Sequence, residues 1–308
     1  MSEKLTISDT MAESITHPLK NRWSFSMLFE AVNSNPNGDP DNGNLPRQDP
    51  DTGRGYVTPV CLKRKVKNEV SLMTNGKTGY DMYIRPEGTL NTRDDEAAAA
   101  CGVDASKLAN AKKTDPDVDK AIFDYMCAKY FDIRTFGAVM TRFSKNSYGR
   151  ARGVVQLEMA TSVSPITIND ICITRTAVNT EADRAAKGPN TMGRFATVNY
   201  GLYRVNGTVN PFNAANTGFS EEDLELVWTA LANLFNHDQS GIRSGMRVRK
   251  LVLFRHDSAY GNACDPDLFD RLVITEKNSD KAPSGYSDYE VSLNLDNLPN
   301  GITCIERL

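Results

Sequence analysis

A chain of 308 residues, 40% hydrophobic and 24% charged, carries enough apolar material for a real core and is not a disordered polymer. Its formal net charge of −3 argues against a protein whose whole surface grips nucleic acid, while leaving room for a local basic track. The six cysteines form no C-x-x-C pair, the start has no signal-peptide core, and no segment is long and apolar enough to span a bilayer, so the expectation is a cytoplasmic protein with reduced thiols and no membrane partner.

Residues 1–20 read as a polar tail. In "WSFSMLFEAV", Trp23, Phe25, Met27, Phe29 and Ala31 alternate onto one face, the pattern of a strand on a core. A long run of turn residues, Asn33 to Gly55, follows. Thr58 and Pro59 then read as N-cap and first residue of a helix whose stripe is Leu62, Val66, Val70 and Met73. Lys63 and Lys67 lie four apart on another side of it, with Arg64 beside them. Residues 75–118 are polar apart from an Ala-rich helical segment and read as an insertion between two parts of one unit, 21–74 and 119–308. "KAIFDYMCAKYF" predicts a helix and "FDIRTFGAVM" a strand. The strand-like "VVQLEMATSVSPI", "ICITRTAV" and "FATVNYGLYRV" enclose a polar tip, which predicts a projecting β-hairpin. "SEEDLELVWTALANLFNHD" is the clearest helix, opened by a Ser220/Asp223 capping box and striped by Leu224, Val227, Leu231 and Leu234. "MRVRKLVLFRH" predicts the last core strand, and "YEVSLNL" adds another. Without insertions the order is βαββαβ: an α+β fold of the ferredoxin-like or RNA-recognition-motif kind.

The acidic loop, "DPDNGN" and "DPDTGRG", fails the EF-hand register from every start and reads as turn chemistry. The histidines, at 17, 237 and 256, form no metal cluster, and no nucleotide-binding or nucleophile motif is present, so neither metal, cofactor nor catalytic residue is expected. The basic residues are clustered. Lys63, Arg64 and Lys67 lie on the first helix; Arg134, Arg142, Lys145, Arg150 and Arg152 fall in an acid-free span; Arg243, Arg247, Arg249, Lys250 and Arg255 sit near the end. Such segregation makes a basic groove for sugar and phosphate, or solvated faces whose cations pair with acids in space. The Gly- and Asn-rich loop fits the groove, and the hairpin adds Met192, Arg194 and Phe195, where an apolar or aromatic side chain either wedges between bases or packs within the hairpin. The aromatic run by which an RNA-recognition motif stacks bases on its sheet is missing.

"NPNGDPDNGNLPRQDPDTGRGYVTPVCLKRKVKN", "FDIRTFGAVM", "NTMGR", "VNYGLYRVNG" and "FSEEDLELVWTALANLFNHD" together resemble the backbone subunit of the type I-C CRISPR interference complex, Cascade, over roughly residues 22–275. One departure is "GVVQ" at Gly153 to Gln156, where relatives tend to show "GPVQ". The resemblance implies a modified RNA-recognition-motif palm, a fingers insertion at 75–118 and a hairpin thumb at about residues 176–198. It implies head-to-tail copies along one CRISPR RNA, which each thumb kinks and which pairs with a target DNA strand. Implied partners are other Cascade subunits (guide-processing, large and small) and a recruited helicase–nuclease that does the cutting. Guide contacts would fall on Asn37, Lys63, Arg64, Lys67, Arg142, Arg150, Arg152, Met192, Arg194 and Phe195. Two other readings remain open: a metal-dependent ribonuclease like type III backbone subunits, using Asp39 or Asp41, and a general single-strand RNA binder.

Overall fold

The computed structural model describes residues 17–104, 115–140, 150–187 and 191–308, so most of the polar tail and the stretch holding Arg142 and Lys145 lie outside the described residues. Strand β1 (Trp23–Ser34) runs into a turn-rich loop with two short mutually paired strands, β2 (Gly38–Asp39) and β3 (Leu45–Pro46), and then β4 (Arg54–Val57). Helix α1 (Pro59–Thr74) starts as the sequence predicts: the Thr58 hydroxyl accepts from the Cys61 N–H at 3.3 Å, and Pro59 sits where a missing N–H costs nothing. Next come α2 (Leu90–Ala100), α3 (Pro116–Lys129), the short α4 (Phe131–Phe136), β5 (Gly137–Val139), β6 (Arg150–Arg152), β7 (Val155–Leu157), β8 (Ala160–Pro165) and β9 (Ile168–Arg175). Then follow α5 (Glu181–Lys187), β10 (Thr191–Val209), α6 (Pro211–Thr217), α7 (Glu221–Ala232), β11 (Met246–His256), α8 (Asp265–Phe269), β12 (Leu272–Glu276), β13 (Tyr289–Leu293) and β14 (Ile302–Glu306). The Ser220/Asp223 capping box is formed in both directions at the start of α7.

The main sheet is antiparallel in the order β14, β11, β1, β10, β8, β4, with β7 and β9 pairing other stretches of β10. On one face, Phe25, Met27, Phe29 and Ala31 of β1 share a core with Leu62, Val66 and Val70 of α1 and with Leu224, Val227, Trp228 and Leu231 of α7. Trp228 meets Phe25 edge-on at 5.1 Å, and Phe29 stacks on Tyr203 at 5.2 Å. Met73 does not complete the α1 stripe; it is exposed, and the buried positions are taken by Lys65, paired with Asp238, and Glu69, paired with His237.

The opposite face of the sheet is also covered. Leu28, Tyr200, Leu202, Val252 and Phe254 pack under Leu268 of α8, Leu272 of β12 and Tyr289 of β13. This is why β1 is buried on both sides although only one side alternates as apolar: Glu30, on the second side, accepts from Arg249 at 2.5 Å and from the Tyr200 hydroxyl at 3.3 Å. The predicted strand in "YEVSLNL" is β13, which pairs with β12 rather than joining the main sheet.

A second apolar cluster joins Tyr83, Ala97 and Ala98 to Ile122 and Met126 of α3, Tyr130, Ile133 and Met140. "FDIRTF" is therefore a helix, not the predicted strand. Phe131 enters the main core while Ile133 enters the second cluster, and the polar residues between and after them are buried by their partners. A six-residue segment of mixed polarity that serves two cores has no single period to read.

Candidate nucleic-acid interface

The site begins with two glycines. Gly137 has φ +79°, and a Cβ there would lie 2.5 Å from the Ala151 carbonyl oxygen; a Cβ on Gly153 would lie 2.2 Å from the carbonyl oxygen of Phe136. The absence of both side chains lets β5 and β6 close on each other and on the end of α4. Strand alternation then turns Ala151 into the second cluster and leaves Arg150 and Arg152 on the outer face. Neither arginine has an ion-pair partner among the described residues. They line a cleft of about 490 Å³ between α3, which supplies Asp119, Lys120 and Phe123, and α6, which supplies Asn213 and Asn216.

The chain leaving Arg152 connects this cleft to α1. The Gly153 carbonyl accepts from Gln156 Nε2 at 3.2 Å and from Asn213 Nδ2 at 2.9 Å. Gln156 Oε1 accepts from Lys63 Nζ at 3.2 Å, and the same ammonium lies 5.4 Å from the centre of the Phe136 ring. Partial burial lowers the Lys63 pKa from the ordinary lysine value. Arg64, one residue on, is exposed and unpaired among the described residues. Lys63, Arg64, Arg150 and Arg152 thus come from separate parts of the chain onto neighbouring elements, with Gln156 and Asn213 as links that the sequence reading passed over.

Other expected residues are occupied differently. Lys67 does not extend the track: its ammonium donates to the Ile84 carbonyl at 2.9 Å and lies 3.4 Å from Asp132, whose oxygens also accept from the N–H groups of Tyr83 and Ile84. The Asn37 amide oxygen accepts from the Thr58 N–H and hydroxyl, both at 3.0 Å, and so ties the loop to the helix cap. Arg142 lies outside the described residues. Arg134, from the same acid-free span, is buried: its Nε and Nη2 bond both oxygens of Asp223 at 2.8 Å, and its guanidinium lies 4.9 Å from the Tyr80 ring centre. Near the end of the chain, Arg243 pairs with Asp238, Arg249 with Glu30 and Lys250 with Glu306, so most of that cluster is neutralised.

The hairpin is a ribbon of β9 and the first part of β10, paired from Ile168↔Val198 to Arg175↔Thr191, so its first arm starts at Ile168, ahead of the 176–198 range. Its register separates the three residues that sequence proximity groups together. Met192 faces Thr174, and Arg194 faces Cys172 and pairs with Asp170; Phe195 is on the other side with Ile171 and Ile173. Met192 is 83% exposed.

Asp39 caps the Pro40–Asn42 turn and pairs with Arg47 at 3.2 Å; Asp41 is exposed. Among the described residues no three His, Cys, Asp or Glu side chains are grouped to hold a metal. His256 is a core histidine, with Nδ1 accepting from the Asn262 N–H at 2.9 Å and Nε2 3.1 Å from Ser24 Oγ. Among the described residues no helix is long and apolar enough to cross a membrane.

A family model described as CRISPR-associated protein Cas7 matches residues 21–294. A CRISPR-associated protein Cas7 from Haloferax volcanii is 28% identical over 285 residues, 86% of this chain and 78% of that protein. Two solved structures are similar in chain path: a CRISPR RNA-guided surveillance complex, pre-nicking, at 16% identity and TM-score 0.46 over 76% of this chain and 78% of that one, and a CRISPR RNA-guided surveillance complex at 15% identity and TM-score 0.36 over 76% and 68%.

Proposed function

Because the chain belongs to the Cas7 family of CRISPR-associated proteins, we propose that it is the CRISPR RNA-binding backbone subunit of a type I-C interference complex. The observation that carries this reading is the surface made by Arg150 and Arg152 over their cleft, tied through Gly153 and Gln156 to Lys63 and Arg64. Three of those four cations form no ion pair among the described residues, and the Lys63 ammonium bonds only a neutral amide, which leaves them available to phosphate. Phosphate contacts hold a strand without reading it, which suits a subunit that carries any guide and leaves sequence recognition to base pairing with target DNA. The order β11, β1, β10, β8 with α1 and α7 on one face supports a βαββαβ palm of the RNA-recognition-motif kind. Its sheet is covered on the far side by α8, β12 and β13, which speaks against that face as a stacking platform and supports the α1–β6 surface instead. The β9–β10 ribbon is the thumb, and copies stack head to tail so that each holds one segment of the guide.

In this reading the protein is non-catalytic and cytoplasmic, and its partners are the guide, the target strand, further copies of itself, the other subunits of the complex and the helicase–nuclease recruited to it. Co-expression with the neighbouring operon and a CRISPR array, followed by native mass spectrometry and sizing of the extracted RNA, tests it. Several copies on one RNA of defined length are expected; a nucleic-acid-free monomer overturns the reading. Incubating the same complex with complementary RNA and magnesium is expected to leave that RNA intact, whereas cleavage that disappears in Asp39→Ala or Asp41→Ala would replace the backbone role with a ribonuclease.

A further inference from the structure

Helix α6 buries Pro211, Ala214 and Thr217 and turns Phe212, Ala215 and Asn216 outward. Phe212 is 56% exposed, and among the described residues its ring meets no other aromatic ring and no cation. Exposure alone is unremarkable for a single apolar residue. What sets this one apart is how its backbone is anchored, and beside what. Its N–H donates to Asn210 Oδ1 at 2.9 Å, and its carbonyl accepts from Asn216 Nδ2 at 3.2 Å. The next residue, Asn213, donates to the carbonyl of Gly153, which directly follows Arg152. Asn213 and Asn216 line the cleft with the two unpaired arginines. A solvent-facing ring therefore stands on the short helix whose Asn213 and Asn216 flank a cleft lined by Arg150, Arg152 and Lys120 together with Asp119 and Asp124.

We propose that Phe212 is a base-stacking residue: a nucleotide of a single-stranded RNA crosses this rim with its phosphate at Arg150 and Arg152 and its base on the Phe212 ring. The inference rests on the RNA-binding reading above and adds to it a stacking contact on the palm, apart from the ribbon. A nucleotide presents an anion and a flat apolar face a few ångströms apart, which is the pairing of chemistries this rim offers. Stacking is tolerant of base identity, in keeping with sequence-independent phosphate contacts.

The test titrates the full-length chain with mixed-sequence single-stranded RNA, and with the same RNA made abasic, across a salt series. Wild type is compared with Phe212→Ala, Phe212→Trp and Arg150→Ala/Arg152→Ala, each checked for wild-type circular dichroism. Phe212→Ala is expected to weaken RNA binding about 5- to 100-fold with no change in salt slope. Phe212→Trp should restore binding, and on abasic RNA Phe212→Ala should match wild type. The arginine double variant is expected to flatten the slope by about 1.4, if each arginine neutralises one phosphate. Unchanged RNA binding by Phe212→Ala, with binding weakened in the arginine variant, overturns the stacking role and leaves the RNA-binding reading standing. An equal loss on intact and abasic RNA also overturns it, as does RNA binding that survives while association between copies fails. A wild-type chain that binds no single-stranded RNA overturns both.

Discussion

Arg134 and the Arg150–Arg152 pair come from one stretch of sequence with no acid in it, and they end in opposite conditions. Arg134 is enclosed, with both oxygens of Asp223 bonded to its guanidinium and the Tyr80 and Phe131 rings beside it. Arg150 and Arg152 sit on a strand whose middle residue is buried, and on its outer face neither forms an ion pair among the described residues, although Asp119 and Asp124 line the same cleft. The partner that separates the two cases, Asp223, lies 89 residues further along the chain. Clustering in one dimension therefore locates cations without telling which of them hold the fold together and which remain available to a ligand.

The largest effect should come from breaking the buried member. Arg134→Met leaves Asp223 without its counter-charge in a dry site, and urea unfolding is expected to show a loss of about 3–5 kcal/mol. A loss below about 1 kcal/mol would mean that the pair is dispensable and that the contrast with Arg150 is only one of exposure. Lys67 belongs to the same class on a smaller scale. Lys67→Ala removes a charge-assisted contact from Asp132 and a donor from the Ile84 carbonyl, and should cost about 1.5–3 kcal/mol of stability. Lys63→Ala, one helical turn away, loses a neutral amide partner and a ring contact but no acid, and should cost less stability than affinity for RNA. If the two substitutions exchange these outcomes, Lys67 is the ligand-facing residue after all.

The exposed member should behave in the reverse way. Arg150→Ala/Arg152→Ala is expected to leave unfolding within about 0.5 kcal/mol of wild type, as for substitutions that remove no buried contact. Its affinity for single-stranded RNA should fall by about 1–3 kcal/mol for all sequences alike. A sequence-dependent loss would show that these arginines read bases rather than phosphate.

The same contrast explains what was legible beforehand. β1, α1, α7 and β11 were readable because each is long and dominated by one apolar pattern, and α1 and α7 have their cap chemistry in place, although the α1 stripe stops short of Met73. α4 was not, because its six residues serve two cores at once; β14 was not, because a five-residue edge strand on β11 has too little pattern. In the candidate site, Arg150 and Arg152 were found by charge, and their link to Lys63 was not, since it runs through Gln156 and a carbonyl. The separation of Phe195 from Met192 and Arg194 follows from plain alternation along a strand: 192 and 194 share a side, and 195 cannot. Phe212 had a signal too, in the spacing of Pro211, Ala214 and Thr217, but only the packing of α6 shows which side of that short helix is outside.

The smallest expected effect extends the contrast to the histidines. His237 is largely exposed and lies 3.0 Å from the buried Glu69 carboxylate, whereas His256 is enclosed between β1, β11 and the segment before α8. The Asn262 N–H points at His256 Nδ1, so that nitrogen must be the unprotonated acceptor, and Nε2–H faces Ser24, whose hydroxyl donates to Asp265 at 2.5 Å. A second proton on the ring would set two donors against each other. Burial, with the Arg22 guanidinium nearby, lowers the His256 pKa below the ordinary value; Asp265 opposes this only in part. The unfolded chain then takes up the proton first as pH falls. The stabilisation from neutral His256 is complete above about pH 6.5 and is lost as pH drops from there through the lower folded value. The melting temperature should therefore decline between pH 7 and pH 5, and part of that decline should be absent in His256→Asn, where an amide oxygen can replace Nδ1 as acceptor without taking up a proton. A decline of equal size in both proteins would leave His256 as packing alone.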